Sequence, residues 1–287
     1  MPAKDSTSGT ILIATILCVV CSLAVSAAAV ALKPYQVENA KLDQKKNILD
    51  AAGIPKDELG KPASELTSKK IDSLYTWIEE KMVDLDTGQY NTEFDATTFS
   101  LEEQASNPKT SEPIVGDPYD NGEDRRPKTM KVFIVRHEGE GPIKQVVLPI
   151  YGKGLWGTLW GYLALKSDLE TVQGITFYQH KETPGLGGEV DNPNWKSQWD
   201  GLKLYDDQGD PTAYVAKGPA PDDDPSAVDG LSGATITSRG VTALVQYWAS
   251  EQGYGPFLET LKKQIEEEAA AAESPSSAGN ATTKAGA

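Results

Sequence analysis

Cysteine is almost absent from the chain: only Cys18 and Cys21 occur, and both lie inside an apolar run near the start. Three residues apart, they share one side of a helix, where a disulfide cannot usefully cross-link it. As two ligands they also leave a zinc site half-filled. We interpret them as lipid-facing or packing residues. The rest of the chain, free of cysteine, excludes a disulfide scaffold and suits any redox compartment.

Positive charge is scarce as well. The 287 residues include 27 Lys and Arg against 42 Asp and Glu, which gives a formal net charge of -15. Such a chain repels the phosphates of DNA and RNA, so we expect no nucleic-acid partner. The acidic residues are spread through predicted loops and the C-terminal tail, which is typical of a solubilising surface.

Charge is missing altogether between Ser6 and Leu32. As a helix this stretch is about 40 Å long, and a bilayer's hydrocarbon core needs about 30 Å. We predict a short cytoplasmic N-terminus at 1–9 and a single transmembrane helix at 10–32. A cleaved signal peptide is the alternative, because Lys4 precedes the apolar run and small residues come after it at 26–29. Length favours the retained anchor, and either segment exports the remainder of the chain.

The middle of the chain predicts an α+β domain. Ile71, Leu74, Tyr75, Ile78 and Met82 have the spacing of an amphipathic helix. The polar stretch 87–127 indicates a long loop. Strand patterns follow at 130–135, 145–150, 159–165 and 171–178, with two more at 200–204 and 212–217. Strands in succession between flanking helices indicate a largely antiparallel sheet.

These patterns predict three regions after the membrane helix. A helical and loop-rich membrane-proximal region covers 33–128, and the main domain covers 129–263. The tail at 264–287 changes from an acidic, Ala-rich run to Ser, Pro, Gly, Asn and Thr. Such a composition buries too little apolar area to order itself, so we expect disorder there.

A cluster of hydroxyl groups late in the chain is the strongest functional signal. Its members are Ser232, Thr235, Thr237 and Ser238, placed around Gly233 and Ala234. Apolar residues then recur at helical spacing, which predicts a helix beginning near Thr237. A Thr there is a favourable N-cap. The same helix start suits a phosphate, and two small residues let a bulky ligand approach the backbone. The stretch has the spacing of neither a P-loop nor a dinucleotide fingerprint.

The run Ser232-Gly233-Ala234-Thr235-Ile236-Thr237, preceded by Asp229-Gly230, resembles the flavinylation motif of FMN-binding domains, D-G-x-[ST]-G-A-[ST]-x-[ST]. In that family the last hydroxyl residue carries FMN through a phosphoester bond. A separate flavin transferase, which uses FAD and magnesium, installs it. The resemblance implies covalent FMN on Thr237, with Ser232, Gly233, Ala234 and Thr235 around it.

A second run, Glu182-Thr183-Pro184-Gly185-Leu186-Gly187, resembles the family's other motif, which lies against the isoalloxazine ring. The resemblance implies that Glu182 and Thr183 hydrogen-bond the ring or the ribityl chain. Leu186 then packs on the ring's face, with Gly185 in the same turn. Lys217 fits the family pattern too, and a lysine there neutralises phosphate or reduced flavin.

Two other residues lie near these motifs in the sequence. Trp156 belongs to a Gly-rich loop, 151–157, where an aromatic ring can cover a flat ligand, although the loop alone is also explained as a wide turn. His180 alone is typical of a surface or packing residue, and we assign it no role in proton transfer.

Residues 32–49 resemble the juxtamembrane segment of the C-subunit family of sodium-translocating NADH:quinone reductases. The resemblance implies an electron-transfer subunit of a bacterial inner-membrane complex that passes electrons from NADH toward quinone, coupled to sodium export. It implies a single-pass protein with its large domain on the periplasmic side. The other subunits are then its partners, since nothing in the chain resembles an NADH site, a quinone pocket or an ion channel, and the chain has no complete active site of its own.

Two alternatives remain open at this point. The G subunit of the related ferredoxin:NAD electron-transport (Rnf) complex shares the anchor and the Ser-Gly-Ala-Thr motif. Residues 42–49 and the long insertion before Met130 favour the quinone-reductase subunit instead. The other alternative is an exported, non-redox binding module in which Thr237 is an ordinary helix cap and no flavin is bound.

Overall fold

A computed structural model of the chain describes residues 6–92, 94, 96 and 99–273. It divides into two compact units, one ending at Lys45 and the other beginning at Lys46. The described part of the first unit is formed by helix α1 as far as Lys45; this helix begins at Thr7 and leaves the apolar side chains of the predicted membrane segment exposed. Among the described residues α1 is the one helix long and apolar enough to cross a membrane. It continues past the predicted end at 32 and reaches Ala51.

The second unit combines a sheet with several helices, as an α+β fold requires. Its α-helices in the described part of the chain are α2 (Ile54–Leu59), α3 (Ser68–Tyr75), α4 (Leu101–Ser106), α5 (Pro193–Lys196), α6 (Thr235–Ala249) and α7 (Gly255–Glu273). Its strands there are β1 (Ile78–Asp84), β2 (Ser111–Pro113), β3 (Arg125–Pro127), β4 (Thr129–Arg136), β5 (Ile143–Lys153), β6 (Thr158–Lys166), β7 (Val172–Gln179), β8 (Tyr214–Val215) and β9 (Ala227–Val228).

The main sheet has five strands in the order β1-β4-β5-β6-β7, and every neighbouring pair is antiparallel. The four strands predicted between residues 130 and 178 all form, so the α+β class with a largely antiparallel sheet is confirmed. Strands β4 and β5 are buried at nearly every position. Continuous burial requires cover on both faces, which is why the central residues of these strands, 132–135 and 146–151, are apolar in succession rather than alternating.

The helix predicted from Ile71 to Met82 is wrong beyond Tyr75, where α3 ends. Ile78 starts β1, which pairs with β4 from Ile78 opposite Val135 to Asp84 opposite Thr129. The apolar spacing that suggested a helix also places Ile78 and Met82 on one face of a strand, because both periods return to the same side after four residues. Pairing with β4 in the sheet selects the strand over the helix for these residues.

Two other expectations about the connections need correction. Residues 87–127, predicted as a loop, contain α4 and the antiparallel pair of β2 with β3. Of the two further strands, 212–217 supplies only the two-residue β8, paired in parallel with β9. Residues 200–204 supply an isolated bridge between Lys203 and Thr171.

Helix α6 packs on the sheet, and this contact positions the functional motif. Trp248 donates its indole N–H to the carbonyl of Tyr151 in β5 (2.7 Å). A Cβ on Gly240 would lie 2.2 Å from the carbonyl oxygen of Lys153, so a glycine is needed where helix and strand meet. The start of α6 is thereby held beside the end of β5.

Helix α7 extends to Glu273, ten residues past the predicted domain end at 263. The rest of the predicted tail, 274–287, lies outside the described residues, as do the first five residues of the predicted N-terminus.

Candidate functional site

The hydroxyl-rich motif forms a turn followed by the first turn of α6. The helix begins at Thr235 after Ala234, whose backbone is non-helical and which has no side chain able to cap it. Thr237 is therefore the third residue of the helix, and the expectation of an N-cap at Thr237 is wrong. Ser238 closes the turn instead, because its Oγ accepts from the Leu231 amide at 3.1 Å. The first amides of α6 are left without a side-chain cap.

Asp229, the first residue of the motif, fixes that turn from outside. Its Oδ1 accepts from the Ala220 amide (2.7 Å) and its Oδ2 from the Gln198 side chain (3.0 Å). Its carbonyl oxygen accepts from the indole N–H of Trp195 at 2.7 Å. Two separate segments, residues 195–198 and Ala220, therefore hold Asp229, and the contacts to its two carboxylate oxygens explain physically why an acidic residue opens the motif.

The two sequence motifs meet at a hydrogen bond. Thr237 Oγ1 donates to Glu182 Oε2 at 2.5 Å, and both side chains are buried. The other carboxylate oxygen, Oε1, accepts from the backbone N–H of Trp156 at 2.9 Å. One carboxylate thus joins the end of β7, the loop after β5 and the first turn of α6.

Glycines make room for this carboxylate. A Cβ on Gly187 would lie 2.5 Å from Glu182 Oε2 and 2.6 Å from Thr237 Oγ1. A Cβ on Gly154 would lie 2.6 Å from Glu182 Oε1. The glycines of both runs are therefore required by close packing around Glu182 and Thr237, a role that the sequence did not reveal.

His180, to which the sequence assigned no function, holds the backbone of Glu182. Its Nδ1 accepts from the Glu182 amide at 3.2 Å, and its Nε2 lies 2.8 Å from Asp191 Oδ2. Because Nδ1 is an acceptor, the neutral ring carries its proton on Nε2 and donates it to Asp191. The signal available in the sequence was its position two residues before the motif's glutamate.

Apolar side chains stand exposed around the buried pair. Trp156 is 63% exposed, Leu186 is 43% exposed and Ile236 is 55% exposed. A Cβ on Gly233 would lie 2.9 Å from Leu186 Cδ2, so the turn before α6 and the turn after β7 are in close contact. Clustered exposed apolar side chains of this size typically belong to a binding site.

An open cavity of about 1030 Å³ lies along the other predicted residues. Lys217 and Thr235 line it together with Arg239 and with Lys153, a cation that sequence reasoning left out of the site. Thr183, Gly185 and Ser232 are exposed in the two turns, and Gly185 adopts φ 76°, a conformation that favours glycine. A second cavity of about 1180 Å³, lined by residues such as Tyr205 and Asp206, includes no residue of either motif.

The structure therefore brings together Glu182, Thr237, Gly187 and the Trp156 backbone, with Leu186 against Gly233. Lys217 belongs to the cavity lining, which among the described residues does not include Glu182, Leu186 or Trp156. The predicted set thus falls into a buried polar centre, an exposed apolar rim and a basic cavity wall.

An antiparallel sheet with this motif at the start of a packed helix defines a flavin-binding module, and the family model of the FMN-binding domain matches residues 154–250. The C subunit of the Na(+)-translocating NADH-quinone reductase of Yersinia pestis is 42% identical over 260 residues, covering 91% of this chain and 95% of its own. The same subunit of Pseudomonas aeruginosa is 42% identical over 267 residues, covering 92% and 99%. The chain belongs to the C-subunit family of the Na(+)-translocating NADH-quinone reductase.

Solved structures support the same family assignment. The crystal structure of Shewanella oneidensis NqrC superposes with a TM-score of 0.69 at 32% sequence identity, covering 78% of this chain and 99% of that one. A crystal structure of the C subunit from Parabacteroides distasonis gives a TM-score of 0.58 at 26% identity, covering 79% and 96%. Membership in the C-subunit family decides against the G-subunit alternative.

Proposed function

We propose that this protein is an electron-carrying subunit of a Na+-translocating NADH:quinone reductase, with FMN attached to Thr237 by a phosphoester bond. The observation that carries the proposal is the Glu182–Thr237 pair: the last hydroxyl of the flavinylation motif is buried against a carboxylate from the second motif. Family membership and the FMN-binding match support the same assignment.

The surroundings of Thr237 suit FMN in two respects. Flat, apolar isoalloxazine requires exposed apolar surface, which Trp156, Leu186 and Ile236 supply. A phosphodiester requires donors and positive charge, which the uncapped first turn of α6 and the exposed Arg239 supply. When bound, FMN supplies one- and two-electron redox chemistry. The protein contributes the position of the flavin ring and the electrostatic environment around it.

Attachment needs access to a buried atom. Thr237 is fully buried, and Gly187 packs directly over its hydroxyl. We expect the turn 183–188 to move aside while a flavin transferase, using FAD and magnesium, modifies Thr237. Covalent attachment suits a domain on the periplasmic side of the inner membrane, because a released cofactor would be lost from the cell.

The remaining steps of the reaction belong to partner subunits in this proposal. A single apolar helix cannot line an ion path alone, and the sequence offers no NADH or quinone motif. Electrons from NADH therefore reach this flavin from one partner and leave toward quinone through another. Sodium export is coupled to that passage elsewhere in the complex.

The test is the intact mass of the protein purified after co-expression with a flavin transferase, followed by peptide mapping. We expect a gain of FMN less one water on the peptide that contains Thr237. The Thr237→Ala variant should carry no flavin. Its loss of stability should be about 1–3 kcal/mol, since a buried carboxylate loses one donor.

Thr260→Ala is the matched control, since it removes a hydroxyl from α7, outside both motifs, and should leave the flavin in place. An unmodified wild-type mass, with the transferase active on a control substrate, would contradict the proposal and favour the non-redox binding module.

A further inference from the structure

The Glu182–Thr237 contact has the geometry of a base beside its substrate hydroxyl. At 2.5 Å it is as short as hydrogen bonds between a hydroxyl and an ionised carboxylate become. Proton abstraction requires a base within hydrogen-bond reach of the proton. We propose that Glu182 is the general base of the flavinylation reaction, accepting the hydroxyl proton of Thr237 as FMN is transferred to it. This inference rests on the proposed function.

The Glu182 carboxylate is held in one orientation by its contacts. Its Oε1 is engaged by the Trp156 amide, which leaves Oε2 directed at Thr237. Gly154, which lies outside the turn 183–188, packs against Oε1, so the carboxylate has no space to turn away even when Gly187 moves with that turn. The pair is buried, and water cannot compete for the Thr237 proton while the site is closed.

The base is also anchored independently of the turn that must move. Glu182 precedes the turn 183–188, and its amide donates to His180 Nδ1. His180 is itself held by Asp191, which lies beyond the turn. The segment between these two fixed points can swing open to admit the dinucleotide while Glu182 keeps its place. His180 is therefore a positioning residue in this proposal.

The reaction balances without any redox change. Thr237 Oγ1 forms a bond to the flavin-side phosphorus of FAD, and the bond from that phosphorus to the bridging oxygen breaks. AMP leaves with the bonding electron pair, and the Thr237 proton passes to Glu182 Oε2. The product is a phosphodiester anion beside a neutral Glu182. Proton transfer thus also avoids the contact of two negative charges that an ionised Glu182 would create.

The experiment uses the full chain in detergent with purified flavin transferase, FAD and Mg2+, and follows intact mass over time. Glu182→Gln keeps the size of the side chain but removes its basicity. We expect kcat for flavinylation to fall by about 10²- to 10⁴-fold, the usual contribution of a general base, with the KM for the protein substrate changed by less than about threefold. Glu189→Gln is the control, because Glu189 lies in the same segment but contacts Asn192 rather than Thr237.

Chemical rescue distinguishes a general base at Glu182 from a residue that only supports the structure. Glu182→Ala leaves space for a small carboxylate, and formate should restore much of its flavinylation rate but none in Thr237→Ala. Equal thermal melting of Glu182→Gln and wild type checks the fold. Flavinylation of Glu182→Gln within about threefold of wild type, or a slow Glu182→Ala that formate leaves slow, overturns the assignment of the base. A wild-type chain never modified at Thr237 overturns the proposed function as well.

Discussion

Gly187 shows how closely single residues are fitted in this site. A Cβ there would overlap both Glu182 Oε2 and Thr237 Oγ1. We expect Gly187→Ala to lower the free energy of unfolding by about 1–3 kcal/mol, as overpacking does, and to reduce flavin incorporation strongly. Urea denaturation and intact mass measure the two effects. Gly218→Ala is the control, because a Cβ on Gly218 would meet nothing within 4 Å. We therefore expect it to affect the free energy of unfolding and flavin incorporation less than Gly187→Ala does.

Equal, small effects of the two substitutions would mean that the turn over Thr237 is loose, contrary to the close packing of Gly187.

The residues of the site were predictable as members of motifs, but their contacts were not. Thr237 and Glu182 are 55 residues apart, and nothing local indicates that one donates to the other. The expectation of a cap at Thr237 failed because any Ser or Thr near a helix start satisfies the same preference. None of them caps the helix; which one closes the turn and which one points inward is decided by α6 packing on β5.

At the scale of elements, one ion pair fastens the last helix to the sheet. Arg136 in β4 donates from Nη1 and Nη2 to the two carboxylate oxygens of Glu268 in α7, each at 2.8 Å. The paired guanidinium lowers the pKa of Glu268 from 4.5 to about 2, although partial burial opposes the shift. The bidentate geometry makes this pair stronger than an ordinary surface salt bridge.

A depressed pKa makes the contribution of Glu268 depend on pH. The stability that ionised Glu268 contributes is fully present above its unfolded-state pKa of about 4.5, and it is lost as the pH falls through the folded-state pKa of about 2. We expect Glu268→Gln to lower the free energy of unfolding by about 1–2 kcal/mol at pH 7, a figure reduced for the pair's partial exposure. The difference from wild type should shrink steadily between pH 5 and pH 2. Urea titrations at several pH values measure it.

Glu267→Gln provides the comparison, since Glu267 is exposed on the same helix and should show no such trend. A wild-type advantage that stays constant down to pH 2 would refute the pKa assignment for Glu268.

Elements with unambiguous patterns were predictable, and those with ambiguous patterns were decided by tertiary contacts. The four long strands between residues 130 and 178 are rich in β-branched and aromatic residues, and all of them form. Ile78 and Met82 fit a helix and a strand equally well. The edge of β4 makes them a strand by supplying hydrogen bonds that an isolated helix end lacks. Such a contact, remote in sequence, leaves no local signal.

At the scale of the whole molecule, the folded unit begins before helix α1 ends. Ile48 and Leu49 are fully buried. The carbonyl of Asn47 accepts from the Thr176 hydroxyl at 3.1 Å, and Asp50 Oδ1 accepts from the Ala63 amide at 2.7 Å. A membrane helix that ended at 32 gives no reason to expect any of these contacts. The last residues of α1 are therefore part of the extramembrane core rather than a spacer.

Two chains shortened at the N-terminus test whether the last residues of α1 belong to the extramembrane core. A chain that begins at residue 40 lacks the apolar membrane segment but keeps Ile48, Leu49 and Asp50, so it should be monomeric and soluble without detergent and should still accept FMN. A chain that begins at residue 52 loses those residues. Its free energy of unfolding should be lower by at least about 4 kcal/mol, because losing a buried Leu or Ile costs about 2–5 kcal/mol each. Urea denaturation and size-exclusion chromatography compare the two. Equal stability would mean that residues 40–51 add nothing to the stability of the second unit. The expected difference would show that residues 46–51 belong to the core of the second unit, so that any replacement anchor would have to keep them.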